Sequence, residues 1–291
     1  MDTPVASRGR LGDTPQRDYS LKLQLFNAMA EPELRAAMAD LHLKPGMRVL
    51  DAGCGTGESL GWLAAAVAPG GLAVGADLAS SHLGAARAGL PADALLLQAD
   101  LLKTPLARAS FDVVWSVNTV HHLADPAAGA RALAALLRTG GRLALGQSSL
   151  LPDMYFAWDA RLERVATEAV RAYYRDRYRI GEDELTAVRG VLGLLREAGL
   201  CNVSARTFAI ERTAPLDPRA RAWLLDAIFR GTWGERLRPY LSPVDHAHLR
   251  RLCDPQDPRF ALQRPDFHFL QTFTLAVGES TQPPAPQARG R

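Results

Sequence analysis

The apolar positions along this chain change rhythm twice. From about Tyr19 to Leu41 they recur at helical spacing, with Leu21, Leu25, Met29 and Leu34 among them, and predict an N-terminal helix. From Arg48 onward the pattern becomes short, almost continuous apolar runs that end in an acid or a polar residue. These are RVLDAG (48–53), LAVGAD (72–77), ALLLQAD (94–100), FDVVWSVN (111–118) and RLALGQS (142–148). Such runs read as strands buried on both faces. Helical segments separate them: Glu58–Val67, a second starting near Ser80 or Ser81, and a third with Asp125 as N-cap and Pro126 in its first turn. Strands alternating with helices predict a doubly wound α/β fold on a parallel sheet, with ligands at the carboxyl ends of the strands.

After Ser149 the alternation stops. Residues 151–187 predict a helical insertion rich in Arg and aromatic side chains, and Val188–Leu200 an amphipathic core helix. Asn202–Thr213 alternates as a strand does, 214–265 reads as a second, irregular helical insertion, and Phe267–Val277 as the last strand. The expected sheet therefore has seven strands, with the N-terminal helix and ligand-binding core over 18–150. Residues 1–17 and 279–291 lack periodicity and are expected to be a disordered leader and tail.

Composition narrows the function classes. With 47% hydrophobic and 22% charged residues, the 291-residue chain has the balance of an ordinary soluble globular protein. No apolar run approaches the roughly 18 residues that suggest a membrane span. A net charge of +3, from 34 basic and 31 acidic residues, is too mild to argue for nucleic acid. Cys54, Cys201 and Cys253 are far apart and show no metal-binding spacing, which with the lack of an apolar signal segment predicts a reducing, cytoplasmic setting and no metal.

The sharpest local signal is VLDAGCGTG, Val49 to Gly57. A buried strand carries Asp51, then Gly53, Gly55 and Gly57 turn the chain into a helix. The spacing is neither the G-x-G-x-x-G of dinucleotide sites nor a P-loop, and Glu58 at the helix start would repel a pyrophosphate. The loop suits a ligand without phosphate. Asp77, at the end of the second strand, can accept hydrogen bonds from both hydroxyls of a ribose. Asp100, after the third, can accept from an adenine amino group. Together they suit an adenosyl ligand without phosphates, S-adenosylmethionine.

These residues resemble the class I S-adenosylmethionine-dependent methyltransferases over about residues 45–148. VLDAGCGTG looks like the family's first motif, Asp77 its ribose acid and QAD (98–100) its adenine-side acid. FDVVWSVNTVHHLADP (111–126) resembles the fourth-strand motif, and LLRTGGRLAL (136–145) the turn before strand five. The flavour is that of quinone-biosynthesis and natural-product enzymes, on a seven-stranded Rossmann-like sheet with helical lid insertions. The resemblance implies that Gly53, Gly55 and Gly57 line the methionine part of the cofactor and that Asp51 anchors its amino group. It also implies that Leu78 and Leu101 pack near the adenine, that Asn118 sits beside the methionyl end, and that Tyr19 or Gln24 closes over the cofactor. S-adenosylhomocysteine would be the product.

His121 and His122 follow strand four on the ligand side and are the candidate bases, since imidazole titrates near neutrality; a structural role at the cofactor's edge is the alternative. Carboxylates of metal-dependent catechol-type transferases are replaced by Asn118 and Gln147/Ser148, and the N-P-P-[YF] segment of base-modifying enzymes by NTVHH. A small-molecule acceptor, methylated on O, N or C, is the favoured class. A different reaction on the same fold, a nucleic-acid methyltransferase and a non-catalytic binding protein are the alternatives. Tyr155, Trp158, Tyr173 and Tyr174 of the first insertion are expected to cover the substrate, pockets being mostly apolar. Trp223, Phe229, Trp233 and Tyr240 of the second would complete the lid or form a homodimer surface.

Overall fold

The computed structural model describes residues 14–16, 18–91, 94–148, 155–156, 159–179, 181 and 187–281. Trp158 and most of the expected leader and tail lie outside these residues. Five parallel strands form one side of the sheet: β1 (Arg48–Ala52), β2 (Leu72–Asp77), β3 (Leu95–Gln98), β4 (Phe111–Val117) and β5 (Leu137–Ser148). The order continues as β3-β2-β1-β4-β5-β8, with β8 (His268–Glu279) antiparallel to β5 and β7 (Cys201–Thr213) antiparallel to β8.

All seven expected strands are present. An eighth, β6 (Tyr155–Phe156), was not expected; it pairs with Leu270 and Phe269 of β8, beyond the Phe273 at which β5 stops pairing. Two residues are too few for an alternating pattern to register in the sequence. The last strand also runs two residues past Val277, and Ser280 then exchanges hydrogen bonds with Gly140 and Gly141. At the other terminus Pro15 accepts from Ser80 N, so part of the expected leader rests on the core.

The period-two alternation of buried strands sorts side chains onto two faces. Val49, Val113, Trp115 and Ala144 share one apolar cluster with α1 (Ser20–Ala39) and α2 (Glu58–Val67). Leu50, Ala52, Val114 and Leu143 face the other way, onto α4 (Pro126–Ala134) and α6 (Ala187–Glu197). α3 (Ser80–Gly89) follows β2, and the Asp125 carboxylate caps α4 by accepting from Ala128 N at 2.8 Å. α1 buries Phe26, Met29, Ala30, Leu34, Ala37 and Met38, a stripe at i, i+3 and i+4. It is held against β7 by a bidentate pair between Arg212 and Glu33, both largely buried.

The insertions pack on each other. The first contributes α5 (Ala160–Tyr178); the second contributes α7 (Pro218–Ala222), a π-helical stretch (Trp223–Thr232), a 3₁₀ segment (Glu235–Tyr240) and α8 (Pro243–Cys253). Arg161 of α5 reaches the buried Asp245 of α8 at 2.6 Å. Trp223 meets Phe26 of α1 edge to face, so the second insertion leans on the N-terminal helix.

Candidate active site

The site forms where β1, β2, β4 and β5 end. Gly53 (φ +81°) and Gly57 (φ +89°) lie in the left-handed region. A Cβ on Gly53 would stand 2.2 Å from Thr119 Oγ1, so the turn after β1 and the turn after β4 close on each other only with glycine at this position. Glu58, at the start of α2, accepts from Thr56 Oγ1 (2.7 Å) and from Asn27 Nδ2 of α1 (2.8 Å).

Asp51 is 2% exposed, and its Oδ2 has no hydrogen-bond partner among the described residues. Burial, and secondly the charges of Asp77 and Glu58, push its pKa up to about 8. A sealed acceptor without a donor is costly by itself and suits a cationic group arriving from outside. Asp77 accepts Gly55 N on Oδ2 and Ala79 N on Oδ1, both at 2.9 Å, so this carboxylate braces the glycine loop. Asp100 accepts Leu102 N at 2.9 Å, Leu101 is buried, and Leu78 is tied to β3 through its carbonyl, which accepts from Gln98.

His82 was not singled out in the sequence for this site. It is buried, its Nδ1 lies 3.3 Å from Asp77 Oδ1, and its Nε2 accepts from Tyr19 N at 3.5 Å. The Tyr19 ring packs edge-on against His82 and stacks on His122. A row of side chains thus joins Asp77 to the turn after β4. Gln24 points to solvent, whereas Leu23, whose Cδ1 would touch a Cβ on Gly55, and Asn27 face the loop.

Asn118 (φ +51°) turns its side chain toward β5, where Oδ1 accepts Ser148 N (2.8 Å), Ser148 Oγ (3.0 Å) and Gln147 Nε2 (3.1 Å). Gln147 Oε1 lies 2.9 Å from Nδ1 of His121. His121 and His122 lie in the 3₁₀ turn Val120–His122, their ring centroids 4.2 Å apart. Desolvation, and then the charges of His122 and Lys22, hold His121 well below the usual histidine range.

Of the lid candidates, Tyr173 and Tyr174 are half-buried in an aromatic cluster with Tyr178 and Tyr240. Tyr155 is described only as backbone in β6, and Trp158 lies outside the described residues. Between α5 and the second insertion runs a cleft of about 580 Å³, with Arg171, Arg175, Tyr240 and Asp245 in its walls.

Residues 50–145 match the family described as "Methyltransferase domain". Nocamycin O-methyltransferase of Saccharothrix syringae is 31% identical over 215 residues, covering 69% of this chain and 73% of that protein. The chain belongs to the class I S-adenosylmethionine-dependent methyltransferases. S-adenosylmethionine is the cofactor of this family. The 27-O-demethylrifamycin SV methyltransferase of Amycolatopsis mediterranei (strain S699) is 36% identical over 118 residues, 39% of this chain and 43% of that protein. The chain spans less than half the length of the first curated relatives it matches. A solved structure assigned as a methyltransferase from an antibiotic biosynthesis pathway of Anabaena variabilis ATCC 29413 shares the fold. Its TM-score is 0.54 at 15% identity, covering 83% of this chain and 96% of that one. No helix among the described residues is long and apolar enough to cross a membrane.

Proposed function

We propose that this protein methylates a small-molecule acceptor in cytoplasmic secondary metabolism. The observation that carries the reading is Asp51: a buried carboxyl with an oxygen unpartnered among the described residues, at the mouth of a glycine loop braced by Asp77. When bound, S-adenosylmethionine supplies an electrophilic methyl group on a positively charged sulfur. Asp51 would take its ammonium, Asp77 its ribose hydroxyls, and Asp100, Leu78 and Leu101 its adenine. Gly53, Gly55 and Gly57 let backbone approach the methionyl end. Tyr19 covers the site from α1, and Asn118 holds the ends of β4 and β5 together beneath it. The aromatic cluster around Tyr173 and Tyr174 covers the acceptor. The relatives named Nocamycin O-methyltransferase and 27-O-demethylrifamycin SV methyltransferase support a natural-product acceptor.

Calorimetric titration with S-adenosylmethionine and then S-adenosylhomocysteine tests the reading; micromolar binding of both is expected. Mass spectrometry of acceptors incubated with enzyme and cofactor should then show a gain of one CH₂. A product with any other mass change would favour a different reaction on this fold, and binding of neither ligand by folded protein would refute the assignment.

His82 gives a separate prediction. His82→Ala removes the ring that joins Asp77 to Tyr19. A buried hydrogen-bond partner lost in this way costs about 1–3 kcal/mol. Affinity for S-adenosylhomocysteine should fall about tenfold, which corresponds to about 1.4 kcal/mol. The same titration checks it; unchanged affinity would reduce His82 to a packing role.

A further inference from the structure

The inference rests on the reading of the site as a methyltransferase, and it concerns how a proton leaves the acceptor. Asn118 Oδ1 is its fixed point. This atom accepts the backbone N–H of Ser148 at 2.8 Å, and a backbone N–H can only donate, so it is the amide oxygen. The Gln147 atom 3.1 Å away must then be a donor, Nε2, and the same group donates to the Ser148 carbonyl at 3.3 Å. Gln147 is 5% exposed, which leaves water little part in the arrangement. Its carbonyl oxygen, Oε1, therefore faces Nδ1 of His121 at 2.9 Å. An amide oxygen only accepts, so Nδ1 carries the proton. In a neutral imidazole the other nitrogen, Nε2, then presents a lone pair. Nε2 has no hydrogen-bond partner among the described residues.

We propose that Gln147, locked by Asn118 and Ser148, is a positioning residue that holds His121 as its Nδ1–H tautomer, so that Nε2 takes the proton of a hydroxyl acceptor. Among the described residues the charges acting on this ring are His122 on the same turn and Lys22 of α1, and both disfavour the imidazolium. The ring thus meets the acceptor in its neutral form near pH 7. In the transfer the acceptor's O–H bond breaks and its proton passes to Nε2. The freed oxygen pair forms the O–CH₃ bond while the C–S pair returns to sulfur. The imidazolium keeps its Nδ1–H bond to Gln147 and later releases the Nε2 proton to water. A carboxylate acceptor would bring no proton to remove at neutral pH, so the arrangement favours alcohols and phenols over carboxylic acids.

The experiment is nitrogen NMR of the full chain labelled with ¹⁵N-histidine, the His121 ring being assigned by its loss in His121→Gln. In the wild type the His121 proton should be on Nδ1 near pH 7. Gln147→Met should move it to Nε2 or to a mixture of tautomers. Gln147→Glu should place a carboxylate on the Nδ1–H and raise the titration midpoint by about 1–3 units. Circular dichroism establishes that each variant is folded; if Gln147→Met is not, the wild-type tautomer and Gln147→Glu decide. A wild-type proton on Nε2, or a midpoint unmoved in folded Gln147→Glu, would overturn the proposal. Failure of the wild type to bind S-adenosylhomocysteine would instead strike the functional reading, since the tautomer is read without ligand.

Discussion

Replacing Asp77 with Ala is expected to weaken S-adenosylhomocysteine binding by at least about 100-fold, because the ligand would lose two charge-assisted hydrogen bonds worth about 1.5–3 kcal/mol each. The carboxylate has a second task visible without ligand. It accepts Gly55 N, Ala79 N and the His82 ring, so its removal also frees the glycine loop and the segment entering α3. Asp77→Asn retains the shape but turns one acceptor into a donor that faces other donors, and should fall close to Asp77→Ala. Calorimetry measures both variants, with circular dichroism confirming the fold. Affinity within threefold of the wild type would remove Asp77 from the cofactor site.

Asp51 carries the second large effect, and its sign is unusual. Its folded-state pKa is about 8, against an ordinary 3.8. A carboxyl raised in this way contributes its full stability below the unfolded value, and that contribution is lost as pH rises from about 4 to about 8. Asp51→Asn cannot ionise, so the ligand-free variant should unfold at a temperature several degrees higher than the wild type at pH 8. The gain is limited because Asn adds a buried donor where Oδ2 has no partner among the described residues. At pH 4 the two should unfold together to within a degree or two. The same variant should bind S-adenosylmethionine at least about tenfold more weakly, having lost a charge opposite the ligand's ammonium. In the wild type, binding at pH 7 should release a proton as the ammonium draws Asp51 into its charged form. Titration in buffers of different ionisation enthalpy reads that proton directly. A binding enthalpy independent of buffer, or Asp51→Asn less stable than wild type at pH 8, would refute this account. The trade of stability for ligand binding is the expected signature of a functional buried charge.

Much of this was legible in the chain. Apolar runs such as VLDA and DVVW can be satisfied only between two layers of helices, so the central strands and their order of appearance are set by side-chain character alone. The glycine loop is local chemistry: Gly53 and Gly57 need positive φ, and the residues around them are contiguous. Helix starts such as Asp125–Pro126 are equally local, because the cap bonds a neighbour three residues on.

The remainder depended on distant residues meeting. His82 lies five residues after Asp77, but its partner Tyr19 lies 63 residues earlier, delivered by the packing of α1 over the sheet. Leu23 rather than Gln24 faces the loop because one helical position rotates a side chain by about 100°. The Asn118 side chain turns to Ser148 and Gln147 of β5, which places the link to His121 across 26–30 residues of sequence. No periodicity encodes that contact, since it follows from the pairing of β4 with β5 in one register. The sequence by itself determined seven of the strands, the loop and the class of ligand, because each rests on side-chain polarity or local backbone freedom. Only the tertiary structure decided which histidine is braced, by which amide, and in which tautomer, because hydrogen bonds between strand ends exist only once the sheet has brought them together.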